Sequence, residues 1–209
     1  LVNQQYATNT HDLGFEMYCS FGNGLRFADV SGYREILTQT AYSLQTRYSS
    51  IVGCMRSWDN AKYSFPVIID NMMNLELLFY AFHHTNDSLF YKIAVSHANV
   101  TMKNHFRKDY SCFHVVDYDT ISGNAIHKQT HQGYSDSSMW SRGQSWASYG
   151  YTMVYRETKD PKFLDFAHKV TRVYLDRLPK DLIPYWDFDD PTIPNAPRDA
   201  SSAAVVASA

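Results

Sequence analysis

A carboxylate interrupts an apolar run in the stretch YSFPVIIDNMMNLELLFYAFHHTND. Pro66 suits the first position of a helix, and the apolar pattern after it predicts a helix over 66–84. Asp70 and Asn74 would share one face of that helix. A lone buried carboxylate is costly, so Asp70 needs either a hydrogen-bonded cluster with Asn71 and Asn74 or a cavity to face. The first alternative is structural, and the second makes Asp70 a candidate general acid.

A second carboxylate opens the segment THDLGF, where Asp12 lies between His11 and, one turn on, Phe15. The structural alternative is that Asp12 complements the N-terminus of a helix predicted over 11–21. If folding brings Asp12 and Asp70 together in an aromatic cavity, ionising both carboxylates costs free energy, because two like charges would lie close together. One of them then tends to hold a proton near neutral pH, as general acid catalysis requires.

Two indoles and a guanidinium crowd the start of a helix predicted over 139–157: Trp140, Arg142 and Trp146. Arg pairs with carboxylates, and the polar-tipped aromatic side chains suit sugar-stacking surfaces. The alternative is a core helix whose Arg reaches out to solvent.

Metal and cofactor chemistry finds little support in the motifs. His127 and His131 are four residues apart, which suits one helical face, but no carboxylate follows at a spacing such as HExxH. GxSxG, GxGxxG and P-loop patterns are absent. We therefore expect no metal and no cofactor.

The elements that must position these residues are mostly helices. Helices are predicted over 11–21, 31–47, 66–84, 87–107, 139–157 and 160–177, with a last one beginning near Ser201. Short strands are candidates at 112–119 and 183–189, and nothing supports a large sheet. Residues 81–101 align without gaps on 154–174, matching Thr85 to Thr158, Asp87 to Asp160, Phe90 to Phe163 and Ala94 to Ala167. The repeated unit is a helical hairpin capped by Asp, and such hairpins stack as a solenoid or close as a toroid.

Composition sets wider limits. The 209 residues are 44% hydrophobic and 15% aromatic, which predicts a globular chain with a sizeable core. A net charge of -2 gives no support for nucleic-acid binding. No apolar stretch reaches the ~18 residues of a membrane span. The three cysteines form no CxxC pair and are expected to be buried free thiols.

Five blocks, in order along 10–204, together resemble the unsaturated glucuronyl hydrolases of glycoside hydrolase family 88. They read THDLGF, FPVIIDNMMNLELL, FHVVDYD, HQGYSDSSMWSRGQSWASYGY and YWDFDDP...RDASSAA. The resemblance implies an all-α fold, an (α/α)6 barrel of six helical hairpins with the active site at one mouth. This chain supplies about half of the helices such a barrel needs, so 1–209 is expected to be the central part of one domain, truncated at both ends.

The resemblance also implies a reaction. Such enzymes act on oligosaccharides left by polysaccharide lyases, which carry a 4,5-unsaturated uronic acid at the non-reducing end. An aspartic acid protonates the vinyl ether at C4, water adds at C5, and the resulting hemiketal collapses and releases the remaining saccharide. A bacterial origin is implied as well. The compartment, expected to be periplasm or cytoplasm, and the oligomeric state are left open.

Residue roles follow by matching motifs. Asp70 matches the proton donor, and Asp12 the second acidic residue, expected to bind sugar hydroxyls and raise the proton affinity of Asp70. The expected substrate pocket comprises His11, Phe15, Trp58, His114, Gln132, Trp140, Arg142 and Trp146. Gln132 and His114 are expected to hold the sugar ring and the water. That Arg142 complements the substrate carboxylate is our own hypothesis, based on the pairing of Arg with carboxylates.

Three other functions fit parts of the pattern. An unsaturated rhamnogalacturonyl hydrolase would use the same chemistry on pectin fragments, but the HDLGF and WSRGQ blocks favour the glucuronyl family. A non-catalytic carbohydrate-binding toroid would keep the aromatic residues, but it has no need of both Asp12 and Asp70. A helical-repeat scaffold for protein partners does not require carboxylates at helix openings.

Overall fold

Consecutive helices pack against each other as hairpins in the computed structural model, which describes residues 1–209. The α-helices are α1 (Asn23–Phe27), which continues a π-helix over Gly14–Gly22, α2 (Tyr33–Gln45), α3 (Leu75–Thr85), α4 (Ser88–Asn104), α5 (Ser141–Thr158), α6 (Pro161–Asp176) and α7 (Ala200–Ser208). Two 3-10 helices cover Val2–Tyr6 and Ile69–Asn74. None of these helices is both long and apolar enough to cross a membrane.

The predicted repeat has one physical cause in both copies. Thr85 closes α3 by donating its hydroxyl to a backbone carbonyl one turn back, and the same hydroxyl accepts from the backbone N–H of Asp87 at 3.2 Å. The Asp87 carboxylate then accepts from the N–H of Leu89 and so caps α4. Thr158 and Asp160 repeat these hydrogen bonds between α5 and α6. The Thr-x-Asp pattern therefore encodes a tight turn between paired helices.

The hairpins stack through their first helices. The π-helix packs on α3, α3 on α5 and α5 on α7, while α2, α4 and α6 each pack against the preceding helix of their pair. A cluster of 26 buried apolar residues runs through all three pairs. The aromatic and alanine positions of the repeat belong to it, as predicted: Phe90, Ala94, Phe163 and Ala167 are buried.

Two small antiparallel sheets interrupt the helices. Strands β1 (Tyr48–Ser49) and β2 (Cys54–Met55) form a hairpin, and β3 (Pro66–Ile68), β4 (Val115–Tyr118) and β5 (Ala125–Gln129) form a sheet in the order β3-β4-β5. Pro66 pairs with Asp117 and Ile68 with Val115 in that sheet. β4 confirms the strand predicted within 112–119, whereas β5, in which only one residue is buried, was not predicted.

The helix predicted over 66–84 is wrong at its start. Pro66–Ile68 is an edge strand, where a missing N–H is tolerated and β-branched Val and Ile are favoured. The chain then enters the 3-10 helix Ile69–Asn74 before α3 begins. Asp70 therefore lies at a junction between strand and helix, not within a continuous helix.

Two smaller expectations are also wrong. Residues 183–189 form only isolated bridges, Trp140 with Asp187 and Tyr185 with Arg198. Cys19 is exposed, although all three cysteines are free as expected. His127 lies in β5 and His131 in the loop after it, so the four-residue spacing of these histidines does not place them on one helical face, in keeping with the expectation of a loop around His131.

Gly14 provides a direct test of how closely the π-helix approaches the 3-10 helix. A Cβ at this position would lie 2.4 Å from the Cα of Asn74, and backbone cannot yield as a side-chain tip can. We expect Gly14→Ala to destabilise the full-length protein by about 1–3 kcal/mol, measured by urea unfolding. Gly24→Ala is the control, since its Cβ meets only the ring of Tyr33. Equal stability of the two variants would contradict this close approach.

Candidate active site

Backbone pairing fixes the position of Asp70. The N–H of Ile68 donates to the hydroxyl of Ser57 at 2.9 Å, and the N–H of Ile69 donates to the carbonyl of His114 at 3.0 Å. The next residue, Asp70, has a side chain 15% exposed, and its Oδ2 is buried without a hydrogen-bond partner. No other carboxylate oxygen in the chain is buried and unpaired. A buried acceptor left unpaired is costly, so this atom is a strong candidate for contact with substrate or water.

Two buried asparagines hold the segments around Asp70 together. Asn71 donates to the carbonyl of Met55 at 2.9 Å. Asn74 accepts from the N–H of Phe15 at 2.9 Å and donates to Nδ1 of His11 at 3.1 Å and to Oδ1 of Asn71 at 3.3 Å. The polar cluster that the sequence offered as a structural alternative therefore exists. It coexists with the unpaired Asp70 carboxylate.

His11 contacts Asp12 and lies within the electrostatic influence of Asp70. Its Nδ1 accepts from Asn74, so the neutral ring carries its proton on Nε2, which lies 3.3 Å from Oδ1 of Asp12. Burial lowers the pKa of His11, while the charges of Asp12 and Asp70 both act to raise it. The Asp12 side chain is 49% exposed and also accepts from the hydroxyl of Thr10. Asp12 is therefore the more solvated of the two carboxylates.

His114 is oriented by a loop backbone. Its Nδ1 accepts from the N–H of His131 at 3.1 Å and of Gln132 at 3.0 Å. The proton of the neutral ring is therefore on Nε2, which lies 3.5 Å from Oδ2 of Asp70. Neither of these two atoms has a hydrogen-bond partner. A donor and an acceptor thus face each other across a gap that a small shift on substrate binding would close.

Aromatic rings surround this pair. The rings of His114 and Trp140 have centroids 4.5 Å apart, and those of Phe15 and Trp146 are 5.1 Å apart. The indole N–H of Trp146 is buried and unpaired. Trp58 packs on His131, with centroids 5.0 Å apart, and its backbone bridges to Thr10. Aromatic faces with a few unpaired polar atoms suit a sugar ring.

The remaining predicted residues stand at the edge of the site. Arg142 lies 5.4 Å from the ring of Trp140, and its Nε donates to Asp199 at 3.0 Å. Asp199 is buried and caps α7 through the N–H of Ser202. Gln132 contributes its backbone to the His114 contact, while its side chain is exposed. The structure therefore brings all ten predicted residues into one continuous neighbourhood, without testing their roles.

Sequence reasoning missed the residues that pin the loop beside His114. Asp187 is fully buried and accepts from the N–H of Tyr134 at 2.8 Å and from the hydroxyl of Ser138 at 2.7 Å. The acidic run WDFDD was the available signal, but an acid that holds a distant loop looks no different in sequence from an exposed one. No group of three or more His, Cys, Asp or Glu side chains is arranged to hold a metal ion.

Known proteins are similar to this chain in sequence and in structure, although no family model matches it. The chain is 54% identical to an unsaturated glucuronyl hydrolase of Formosa agariphila, over the whole chain and 54% of that protein. A solved unsaturated glucuronyl hydrolase specific for heparin has a TM-score of 0.97 and 48% identity, over the whole chain and 57% of that structure. A mutant unsaturated glucuronyl hydrolase of Streptococcus agalactiae complexed with dGlcA-GalNAc6S has a TM-score of 0.78 and 32% identity, over 98% of the chain and 50% of that structure.

The chain belongs to the unsaturated glucuronyl hydrolase family. It spans about half the length of the relatives it matches. Its stacked hairpins are part of the (α/α)6 barrel of that family, and the predicted fold class is confirmed.

His114 permits a test that separates its two hydrogen-bonding roles. His114→Asn retains an acceptor for the N–H groups of His131 and Gln132 but removes the donor that faces Asp70. His114→Leu removes both. We expect His114→Leu to lower stability in the full-length protein by about 1 kcal/mol, because two partly buried N–H donors lose their acceptor, and His114→Asn to lower it much less.

If the full-length protein turns over unsaturated disaccharides, both variants are expected to lower kcat, because each lacks the donor. Urea unfolding and steady-state kinetics on the same preparations give the two readouts. If His114→Asn kept wild-type kcat, the proposed contact between Nε2 and Asp70 would have no role in turnover.

Proposed function

We propose that the protein containing this chain is a glycoside hydrolase that removes a 4,5-unsaturated uronic acid from the non-reducing end of lyase-generated oligosaccharides. The observation that carries the proposal is the single buried, unpaired carboxylate oxygen, Oδ2 of Asp70, facing Nε2 of His114 inside an aromatic site. Membership of the unsaturated glucuronyl hydrolase family supports the same reaction.

The chemistry is hydration of a vinyl ether. Asp70 donates a proton to C4 of the C4=C5 bond, and the ring oxygen shares the positive charge that forms at C5. Water adds to C5 and returns its proton to Asp70, so the carboxyl group ends as it began. The hemiketal then opens the ring, and the bond from C1 to the remaining saccharide breaks. Ordinary glycosidases, by contrast, use a pair of carboxylates at the anomeric carbon.

The surroundings of Asp70 suit this double role. A proton carried on Oδ1 is free to move while Oδ2 faces the His114 N–H across 3.5 Å. In the proposed complex the carboxylates of Asp70 and Asp12 both act electrostatically on the region of His11 and would stabilise the positive charge that develops at C5. The indoles of Trp140 and Trp146 offer apolar faces that limit the access of bulk water to the cation. Arg142 is the candidate partner for the uronate carboxylate, through the guanidinium nitrogens that its bond to Asp199 does not use.

A glycosaminoglycan fragment is the proposed substrate class. Solved relatives are described as specific for heparin and as complexed with dGlcA-GalNAc6S, both of which are uronyl–hexosamine chemistries. We therefore propose an unsaturated uronyl–hexosamine disaccharide as the minimal substrate, with no cofactor.

Asp70→Asn provides the central test. The amide cannot supply the proton, so we expect kcat to fall by roughly 10²–10⁴-fold while the fold is retained. The reaction is followed by loss of the ultraviolet absorbance of the conjugated C4=C5 bond. Asp165→Asn, which changes an exposed carboxylate on α6, is the matched control and is expected to keep wild-type kcat.

The same assay separates the rivals. Loss of absorbance on uronyl–hexosamine disaccharides supports the proposal, and loss only on unsaturated pectin fragments assigns the protein to the rhamnogalacturonyl hydrolases. A folded wild-type protein without activity on either substrate indicates a carbohydrate-binding toroid. Wild-type turnover by folded Asp70→Asn would exclude Asp70 as the proton donor.

A further inference from the structure

His97 is a fully buried histidine that neither the catalytic step nor the expected substrate pocket uses. It lies on α4, and its Nδ1 accepts a hydrogen bond from the backbone N–H of Met55 in β2 at 3.1 Å. The neutral ring therefore carries its proton on Nε2. Burial, helped by the neighbouring His11, lowers the pKa of His97 to about 3, so the ring stays neutral and its Nδ1 stays an acceptor.

Met55 joins this ring to Asn71, the residue next to Asp70. The N–H of Met55 donates to His97, and its carbonyl accepts from Nδ2 of Asn71 at 2.9 Å. Both main-chain groups of Met55 are thus used outside the pairing of β1 with β2. A change in the position of this one residue would displace the acceptor that the Asn71 side chain requires.

From Asn71 the series of hydrogen bonds continues to the active site. Oδ1 of Asn71 accepts from Nδ2 of Asn74 at 3.3 Å. The same Nδ2 donates its second hydrogen to Nδ1 of His11 at 3.1 Å, while Oδ1 of Asn74 accepts from the N–H of Phe15. Both hydrogens of the Asn74 amide are therefore used, and turning the amide over would place its oxygen against Oδ1 of Asn71.

The last hydrogen bond of the series sets the protonation of His11. Because Asn74 donates to Nδ1, the His11 proton is on Nε2, which lies 3.3 Å from Oδ1 of Asp12. If Asn74 turned or moved away, Nδ1 would be free to take the proton, and Nε2 would then present a lone pair to the carboxylate. Two acceptors that face each other repel, so the orientation of Asn74 decides whether His11 stabilises Asp12.

The hydrogen-bonded path from His97 through Met55, Asn71 and Asn74 to His11 is complete within this chain. All five residues are buried, and the first four are fully inaccessible to solvent. Each hydrogen bond lost from the path leaves a buried group unpaired, at a cost of about 1–3 kcal/mol. The path is therefore held in one arrangement by this chain alone, without a contact from any other segment.

Core packing alone gives a poor account of His97. Its Nε2 is buried without a hydrogen-bond partner. An apolar side chain of similar size would fill the same space without an unpaired donor, and so at a lower cost in free energy. What an apolar side chain would not supply is the acceptor for the N–H of Met55.

We propose that His97 is a positioning residue for the catalytic step. By holding Met55 in place, it fixes the two asparagine amides of the path. These amides keep the His11 proton on Nε2, where it faces Asp12. The inference deepens the proposed function, on which its kinetic test rests, whereas its spectroscopic test requires only a folded protein.

The test compares two variants of the full-length protein. His97→Asn keeps an acceptor close to the position of Nδ1, and His97→Leu removes it. Nitrogen NMR spectra of histidine-labelled protein report which ring nitrogen carries the proton. We expect a single His11 tautomer, with an unprotonated Nδ1, in the wild type and in His97→Asn, and a mixture of both tautomers in His97→Leu.

Kinetics on unsaturated disaccharides give the second readout. We expect kcat to fall roughly 10–100-fold in His97→Leu with little change in KM, because a small displacement of groups at the reacting centre slows the chemical step more than it weakens binding. His97→Asn is expected to keep most of kcat. Tyr151→Phe is the control, because it removes a buried hydroxyl that donates to the carbonyl of Ala98 and hydrogen-bonds to no member of the path. We expect it to leave kcat and the His11 spectrum unchanged.

Three results would overturn the role of His97 while leaving hydration intact. They are wild-type kcat or a single His11 tautomer in folded His97→Leu, equal losses of kcat in His97→Leu and His97→Asn, and an equal loss of kcat in Tyr151→Phe. If His97→Leu does not fold, the wild-type spectrum alone still tests the path, because a His97 ring protonated on Nδ1 would contradict it.

Failure of the proposed function has a different signature. A folded wild type that hydrates no unsaturated disaccharide would overturn that function and the catalytic role of His97 with it. The tautomer of His11 in the wild type and in His97→Leu would then still decide whether His97 orients His11.

Discussion

The buried amide of Asn74 is the contact on which the site depends most. It joins the π-helix, through the N–H of Phe15, to His11 and to Asn71, and all of these partners are distant in sequence except Asn71. Asn71 in turn reaches the carbonyl of Met55 at the end of β2. A satisfied polar network in a dry interior specifies one arrangement, because each partner left unpaired would cost about 1–3 kcal/mol. The network therefore fixes the positions of the two segments that carry Asp12 and Asp70.

That rigidity allows one group to remain unsatisfied. Oδ2 of Asp70 and Nε2 of His114 are both buried and unpaired at 3.5 Å, an arrangement that a flexible segment would relax. It does not relax here, because hydrogen bonds fix the groups on both sides. The N–H of Ile69 donates to the carbonyl of His114, and the His114 ring accepts from two backbone N–H groups. The free-energy cost of leaving these two atoms unpaired is offset by the apolar core that packs around the site.

Sequence reasoning succeeded where the controlling interactions are local. The Thr-x-Asp turns, the caps at Asp87 and Asp160 and the inward Phe and Ala positions depend on contacts within a few residues. It failed at Pro66, because an N-terminal helix position and an edge strand both tolerate a missing N–H. Only pairing with β4, about fifty residues later, decides between them. The bond between Arg142 and Asp199 spans a similar distance, and no local pattern announces it.

The less exposed aspartates of this chain differ in a way that composition does not reveal. Asp117, Asp187 and Asp199 are buried, but backbone N–H groups, hydroxyls and, at Asp199, the guanidinium of Arg142 occupy their oxygens, so they hold loops and helix ends in place. Asp70 is less deeply buried than these, yet one of its oxygens has no partner inside the protein. A carboxylate already saturated by donors is a poor proton carrier, because each hydrogen bond favours the ionised form. The hydrogen-bond pattern, more than burial, therefore distinguishes Asp70 as the residue suited to proton transfer.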